Sequence, residues 1–232
     1  MGLCNIIHFK GEGFMMKRCL VSLIAIVAML ALVGCGAEKP KDSADKAILG
    51  YAELFSVGFS DNLAATGMTT EQSDQISQQV IGALLTNFSQ FPLSDENVKT
   101  ITTQYITKLN LAMDIKTKVK KDDDEHPVVE VSASVIDPQA AAQMTTTNED
   151  LLALGVALGQ LRAEGVTDDQ LKANANFQQA LVECINNYID AIPLKGTQTF
   201  DVKCKVAKGD DGKMYWAPED VTALQQFLAG NK

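Results

Sequence analysis

Leu111-Ala-Met-Asp-Ile-Lys-Thr-Lys-Val-Lys-Lys121 and Val128-Val-Glu-Val-Ser-Ala-Ser-Val-Ile136 are the two runs on which the fold turns. In the first, Leu111, Met113, Ile115 and Val119 alternate with Asp114, Lys116, Lys118 and Lys120. In the second, Val129, Val131, Ala133 and Val135 alternate with polar positions. Successive side chains of a strand point to opposite faces, so a period of two describes strands with one apolar and one wet side. Lys121-Asp-Asp-Asp-Glu-His-Pro127 lies between them and reads as a turn. The pair is therefore expected to be an antiparallel hairpin, with its first strand opening at Leu111.

The same pattern recurs near the end of the chain. Phe200, Val202, Cys204 and Val206 alternate with Asp201, Lys203 and Lys205. Gly209-Asp-Asp-Gly212 has the composition of a tight turn, and Met214-Tyr-Trp216 returns. Elsewhere the apolar spacing is three to four, as on one side of a helix. Ala44, Ala47, Ile48, Tyr51 and Phe55 form the first such stripe. Ile76, Val80, Ala83, Leu84 and Phe88 form a second, and Val98, Ile101, Tyr105 and Leu109 a third. Leu151, Leu154, Leu158 and Leu161 make another after Asn148. A single helix is then expected from Thr167 to the stop at Pro193, and a short one opens at Pro218 with Val221, Leu224 and Phe227 inward. The fold class that follows is α+β: helices packed on one face of an antiparallel sheet built from two hairpins, in the order helices, hairpin, helices, hairpin, helix.

The N-terminal part of the 232-residue chain follows different rules. Lys17-Arg18 precedes an apolar run from Cys19 to Val33, and Leu32-Val33-Gly34-Cys35 closes it. A basic zone, an apolar zone and small residues at a cut make a secretory signal. The run falls short of the roughly 20 apolar residues that span a bilayer. Leu32, Val33 and Gly34 before Cys35 resemble the lipobox of bacterial lipoproteins, where diacylglycerol is attached to the Cys thiol and a dedicated peptidase cuts before it. The resemblance implies lipidation of Cys35, with Leu32, Val33 and Gly34 as the recognition residues, and a protein held at the cell membrane on its extracytoplasmic side. Met15-Met16 directly before Lys17 would give a signal of ordinary length. Residues 1–14 are thus expected to be an extension from a mis-assigned start, 15–34 the signal, 35–43 the lipidated Cys and its tether, and 44–232 one domain.

From Cys35 onward the chain carries 17 Lys and Arg against 28 Asp and Glu, a net charge of −11. That argues against nucleic acid as a partner, since binding to phosphates needs clustered Lys and Arg. It argues equally against an electrostatic second attachment to anionic lipid. Cys184 and Cys204 remain as a candidate disulfide in a compartment that permits one, with two buried thiols as the alternative.

The lipobox Cys35, the Ala47-Ile-Leu-Gly-Tyr51 helix and Gly67-Met-Thr-Thr-Glu71 together resemble an uncharacterised family of lipoproteins from Gram-positive, low-GC bacteria. Val135-Ile-Asp137 and Tyr215-Trp216 before a helix add to the likeness. The plan of helices on a curved sheet is also similar to the cystatin-like and nuclear-transport-factor-like folds. The resemblance implies location and fold, with no assigned activity.

Candidate chemistry is sparse. Asp122-Asp-Asp-Glu-His126 is the densest group of ligating residue types, but it lacks the alternation, the Gly and the distal carboxylate of a calcium loop, so a solvated turn is expected. No metal site and no cofactor are expected. His126 is the one histidine after Cys35, too few for a zinc site or a triad buried away from water. Asp114 and Glu130 on neighbouring strands are expected to face solvent. Tyr215 and Trp216 must point to opposite faces of their strand, which makes them the candidate ligand contacts. The expected function is a membrane-anchored, non-enzymatic domain that binds a small ligand or an envelope protein. An envelope hydrolase using carboxylates and an atypical solute-binding lipoprotein of a transporter are the alternatives.

Overall fold

The structure, a computed structural model, describes residues 39–86 and 88–231. Leu32, Val33, Gly34 and Cys35 lie outside the described residues. The elements, in order, are α1 (Ala44–Val57), α2 (Leu63–Thr66), α3 (Thr70–Thr86), α4 (Asp95–Met113), β1 (Lys116–Lys121) and β2 (Val128–Ile136). There follow α5 (Pro138–Thr147), α6 (Glu149–Ala163), α7 (Asp168–Ala173), α8 (Ala175–Asp190), β3 (Leu194–Lys208), β4 (Met214–Pro218) and α9 (Val221–Leu228). The strands form one antiparallel sheet in the order β1-β2-β3-β4. The protein is α+β, with two hairpins joined side by side through β2 and β3.

Register explains which face is covered. Val119, Val129 and Val202 lie opposite one another across three strands, as do Thr117, Val131 and Phe200. Val129, Val131, Ala133, Val135, Val202 and Cys204 are buried on this side. Helix α1 packs across β1, β2 and β4, α9 across β2 and β3, and α4 against β2. The opposite side carries Lys118, Glu130 and Asp201 in one row. Ile48 and Tyr51 of α1 are fully buried, and burial of such side chains contributes about 1.5–3 kcal/mol each. The Tyr51 hydroxyl donates to the Thr66 carbonyl oxygen at 3.1 Å, tying α1 to α2.

Several boundaries differ from the sequence expectation, each for a local reason. Helix α4 runs through Met113, so β1 begins five residues after Leu111. Leu109 and Met113, four apart, are buried on the helix, while Leu111 between them is 77% exposed. The apparent alternation there was a helical stripe with an apolar residue on its outer side. Asp114, at φ 44°, ends the helix in the left-handed region. Helix α5 was missed, although its start is written in the sequence. Asp137 accepts from Gln139 N and Ala140 N, and Pro138 occupies the first turn. The long helix expected after Thr167 is two, because the Asn174 side chain accepts from Phe177 N and restarts the chain as α8. On α3, Ala83 faces solvent and Val80 is only half-buried.

Three buried acids set an alkaline limit. Burial pushes Tyr105 to about 12 and Tyr51 higher still. Burial, then the nearby Glu219 charge, pushes the Cys204 thiol to about 12. Unfolded, these groups ionise near 10 for Tyr and 8.5 for Cys. Because the folded values are raised, their contribution to stability is complete below about pH 8.5 and is lost as pH climbs toward 12. Thermal unfolding should be level to about pH 9 and fall steadily above it. A melting temperature unchanged to pH 11 would count against burial of these three.

Candidate interaction surface

Helix α6 is the element whose residues do not match its position. Asn148 caps it by accepting from Leu151 N. Leu158 is buried on its inner side, and Leu151, Leu154 and Leu161 pack partly against the core. These are the residues the sequence pattern identified. The outer side is apolar as well. Leu152 is 52% and Val156 62% exposed. At 100° per residue, Leu152, Val156, Gly159 and Ala163 fall on one line facing water, with Gly155 beside it. Among the described residues, a Cβ built on Gly155 or Gly159 would meet nothing within 4 Å, so the surface there is open. No charged residue occurs from Leu151 to Leu161. A helix apolar all round is ordinarily buried all round. Here one side is not, which makes it a candidate contact surface.

The sequence held the signal in plain form. Leu151-Leu-Ala-Leu-Gly-Val-Ala-Leu-Gly159 has more apolar residues than one stripe can use. Leu152 and Val156 fall outside the inward stripe of Leu151, Leu154, Leu158 and Leu161.

The residues expected to meet a ligand serve the fold. Trp216, 9% exposed, is turned into the core. The Tyr215 ring lies where a Cβ on Gly67 would come within 2.4 Å, and Gly67 has φ +72°, so only glycine fits beneath it. Its hydroxyl donates to Asp211 Oδ2 at 2.8 Å. Asp211 also accepts from Lys213 Nζ and from the Lys213 backbone. These bonds, the Lys213 side chain foremost, hold its carboxyl down at about 2. This is a turn locked by its own side chains.

Cys184 and Cys204 are both free thiols rather than a bridge. Cys204 is fully buried on the sheet, and Cys184 is half-buried on α8. Burial, with a smaller contribution from Asp150, raises the Cys184 thiol.

The acidic run at the first hairpin forms a hydrogen-bonded turn. Asp123 accepts from the backbone N–H groups of Glu125 and His126 and pairs with Lys121 at 2.9 Å. Those contacts, Lys121 first, hold it well below the usual carboxylate range. His126 Nδ1 shares a hydrogen bond with Glu219 Oε1 at 2.8 Å. Asp114 and Glu130 are taken by different lysines, Lys116 and Lys120. Among the described residues, no group of three or more His, Cys, Asp and Glu is placed to hold a metal ion. No helix among them is long and apolar enough to cross a membrane.

A shallow cleft lies between the ends of α4 and α8 and the start of β3. Leu109, Ala112, Ile189, Ile192 and Leu194 line it, and the Lys108–Asp190 ion pair (2.7 Å) borders it. Its volume of about 120 Å³ is well below the roughly 300 Å³ at which ligand pockets begin. It has room for a few waters or a small group.

No protein-family model matches the chain, and no curated protein matches it in sequence. One solved structure is similar, that of the candidate lipoprotein YcdA from Bacillus subtilis. The TM-score is 0.41 and the identity 14%, over 80% of this chain and 55% of that one. The chain thus spans about half the length of that structure.

Proposed function

We propose that this chain is a lipoprotein, held by lipid on Cys35 at the extracytoplasmic side of the cell membrane, whose domain binds an envelope protein through α6. The exposed apolar side of α6 carries the reading. Partner binding is favoured over a small ligand because Trp216, the ligand contact the sequence suggested, is buried and the cleft beside Leu109 and Ile189 is too small. It is favoured over hydrolysis because Asp114 and Glu130, the carboxylates the sequence offered, are each engaged by a lysine. Residues 35–43 form a tether of at most about 30 Å. Its end is fixed beside the first hairpin. Lys39 pairs with Asp124 at 2.6 Å, and Thr117 Oγ1 donates to the Asp45 carbonyl at 2.9 Å. The hairpin tip is therefore the part of the domain nearest the lipid.

Two measurements test this reading. Cells given labelled palmitate should label the wild-type protein and recover it with membranes. Cys35→Ala should stay unlabelled and uncut, and its normal maturation would overturn the anchor. A photo-crosslinking benzoylphenylalanine at position 156 should form a protein adduct in intact membranes. The same group at position 99, on the exposed side of α4, should form none. Absence of any adduct from position 156 would overturn the binding reading.

A further inference from the structure

We infer that the outer side of the sheet, opposite the helices, rests on anionic phospholipid of the bilayer that anchors the chain; the inference rests on the lipid anchor proposed above. The net charge of −11 from Cys35 onward is divided very unevenly. The four strands carry eight lysines and two carboxylates, whereas the rest of that stretch carries nine basic residues against 26 acidic ones. Lys116, Lys118 and Lys120 of β1 and Lys203 of β3 are exposed on the outer side. Glu130 and Asp201 stand among them, and Lys120 engages both, at 3.6 and 2.8 Å. Lys116 pairs with Asp114. Among the described residues Lys118 and Lys203 have no ion-pair partner, so their charge is open to an anion from outside.

Position selects the occupant. Lys39 is held to Asp124 at the tip of the first hairpin. It lies four residues from Cys35, a reach of at most about 14 Å. The anchor therefore fixes this end of the sheet close to the headgroups. Tip first, the domain would present Asp122, Asp123, Asp124 and Glu125 to anionic lipid. Helix side down, it would present its acidic helices. Only the outer side of the sheet offers an excess of lysine.

Charge acts over roughly 8 Å at physiological salt, so the helix carboxylates behind the sheet are screened from the bilayer. Each unbalanced lysine brought to an anionic surface favours contact about fivefold. Lys118 and Lys203 together then favour it about 25-fold, enough to orient a domain that its tether already confines there. Helix α6 packs on α8, and α8 on α4, in the layer on the other side of the sheet. Contact of the outer side with lipid thus leaves the exposed apolar side of α6 uncovered.

The experiment uses the full lipidated chain with photo-crosslinking benzoylphenylalanine at position 199. Thr199 is exposed on the outer side, opposite Ser132, and its replacement removes no charge. The protein is reconstituted in vesicles of phosphatidylcholine alone or mixed with phosphatidylglycerol, and adducts are identified by mass. At low salt the mixed vesicles should give roughly tenfold more phospholipid adduct than phosphatidylcholine alone, and high salt should remove the excess. Position 99, on the exposed side of α4, should give none in either. Lys118→Gln with Lys203→Gln should lower the adduct roughly tenfold. Both residues are exposed and unpaired, so the melting temperature should not change. Equal adduct in the two kinds of vesicle, or with and without these two substitutions, overturns the lysine contact. A palmitate-labelled protein that gives no phospholipid adduct overturns the orientation and leaves the anchor standing. An adduct without the label overturns the anchor and keeps the contact, and absence of both overturns both. A protein adduct from position 199 in native membranes, in place of lipid, overturns lipid as the occupant of this face.

Discussion

Gln178→Ala should destabilise the domain by about 3–5 kcal/mol, read from urea unfolding, and lower its melting temperature by roughly 10 °C. Gln178 is 6% exposed and joins three segments. Its Oε1 accepts from Ser94 N at 2.9 Å and from Asn97 Nδ2 at 2.8 Å. Its Nε2 donates to the carbonyl oxygens of Pro92 and Leu171 at 2.7 and 3.1 Å. The N-terminus of α4, the loop before it and the end of α7 are thus held to α8 by one amide. A net hydrogen bond contributes about 1 kcal/mol, but a buried group left without its partner costs about 1–3. Truncation leaves groups of several segments in that state at once. Gln178→Glu provides the contrast. Its carboxylate keeps the two accepted bonds and turns an anion on two carbonyl oxygens. Its penalty should shrink on acidification, when the protonated acid can donate to one of them. A loss below about 1 kcal/mol for Gln178→Ala would show that water replaces the amide without difficulty.

Gly230→Ala should cost about 3–4 kcal/mol and release the end of α9. The chain turns there at φ +70°, and an added Cβ would stand 1.9 Å from the Ile136 carbonyl oxygen, which is backbone and cannot rotate away. A left-handed conformation with a side chain costs about 1–2 kcal/mol by itself. The displacement needed to clear Ile136 adds the rest. It also breaks the bond from Lys195 Nζ to the Gly230 carbonyl oxygen, 2.8 Å. Hydrogen exchange should quicken in residues 225–231 and at the junction of β2 with α5. Gly165→Ala is the control, since Gly165 has φ +89° but open space around it. It should cost only about 1–2 kcal/mol, and an equal loss from both would mean that strain, not crowding, sets the effect at Gly230.

What could be read from the chain depended on whether a residue's neighbours in sequence were also its neighbours in space. The hairpins could be read because Val129, Val131, Ala133 and Val135 repeat a single face over a full strand. The end of α4 could not, because Leu109, Leu111 and Met113 satisfy both periods until burial separates them. The break at Asn174 depends on one side-chain bond to Phe177 N, which leaves the apolar spacing of α8 undisturbed. One of Tyr215 and Trp216 was expected to be accessible because strand geometry sends them opposite ways. That geometry is observed, but the β3–β4 ribbon has burial on both faces, with Ala207, Trp216 and Ala217 all below 10% exposure. The exposed apolar side of α6 failed to appear for the opposite reason. Leu152 and Val156 look like core by composition, and only packing shows that nothing among the described residues covers them.

The pairing of β2 with β3 has a consequence for how the protein comes into being. These central strands are separated in sequence by all of α5 to α8, so the middle of the sheet closes across a long loop. Helix α1, near the start, packs against β4 and α9 at the other end. Contacts that span so much sequence form late and slowly. The first hairpin has no partner for its inner edge until β3 arrives, and α1 has no complete floor until β4 does. Synthesis of the N-terminal half therefore yields no finished unit.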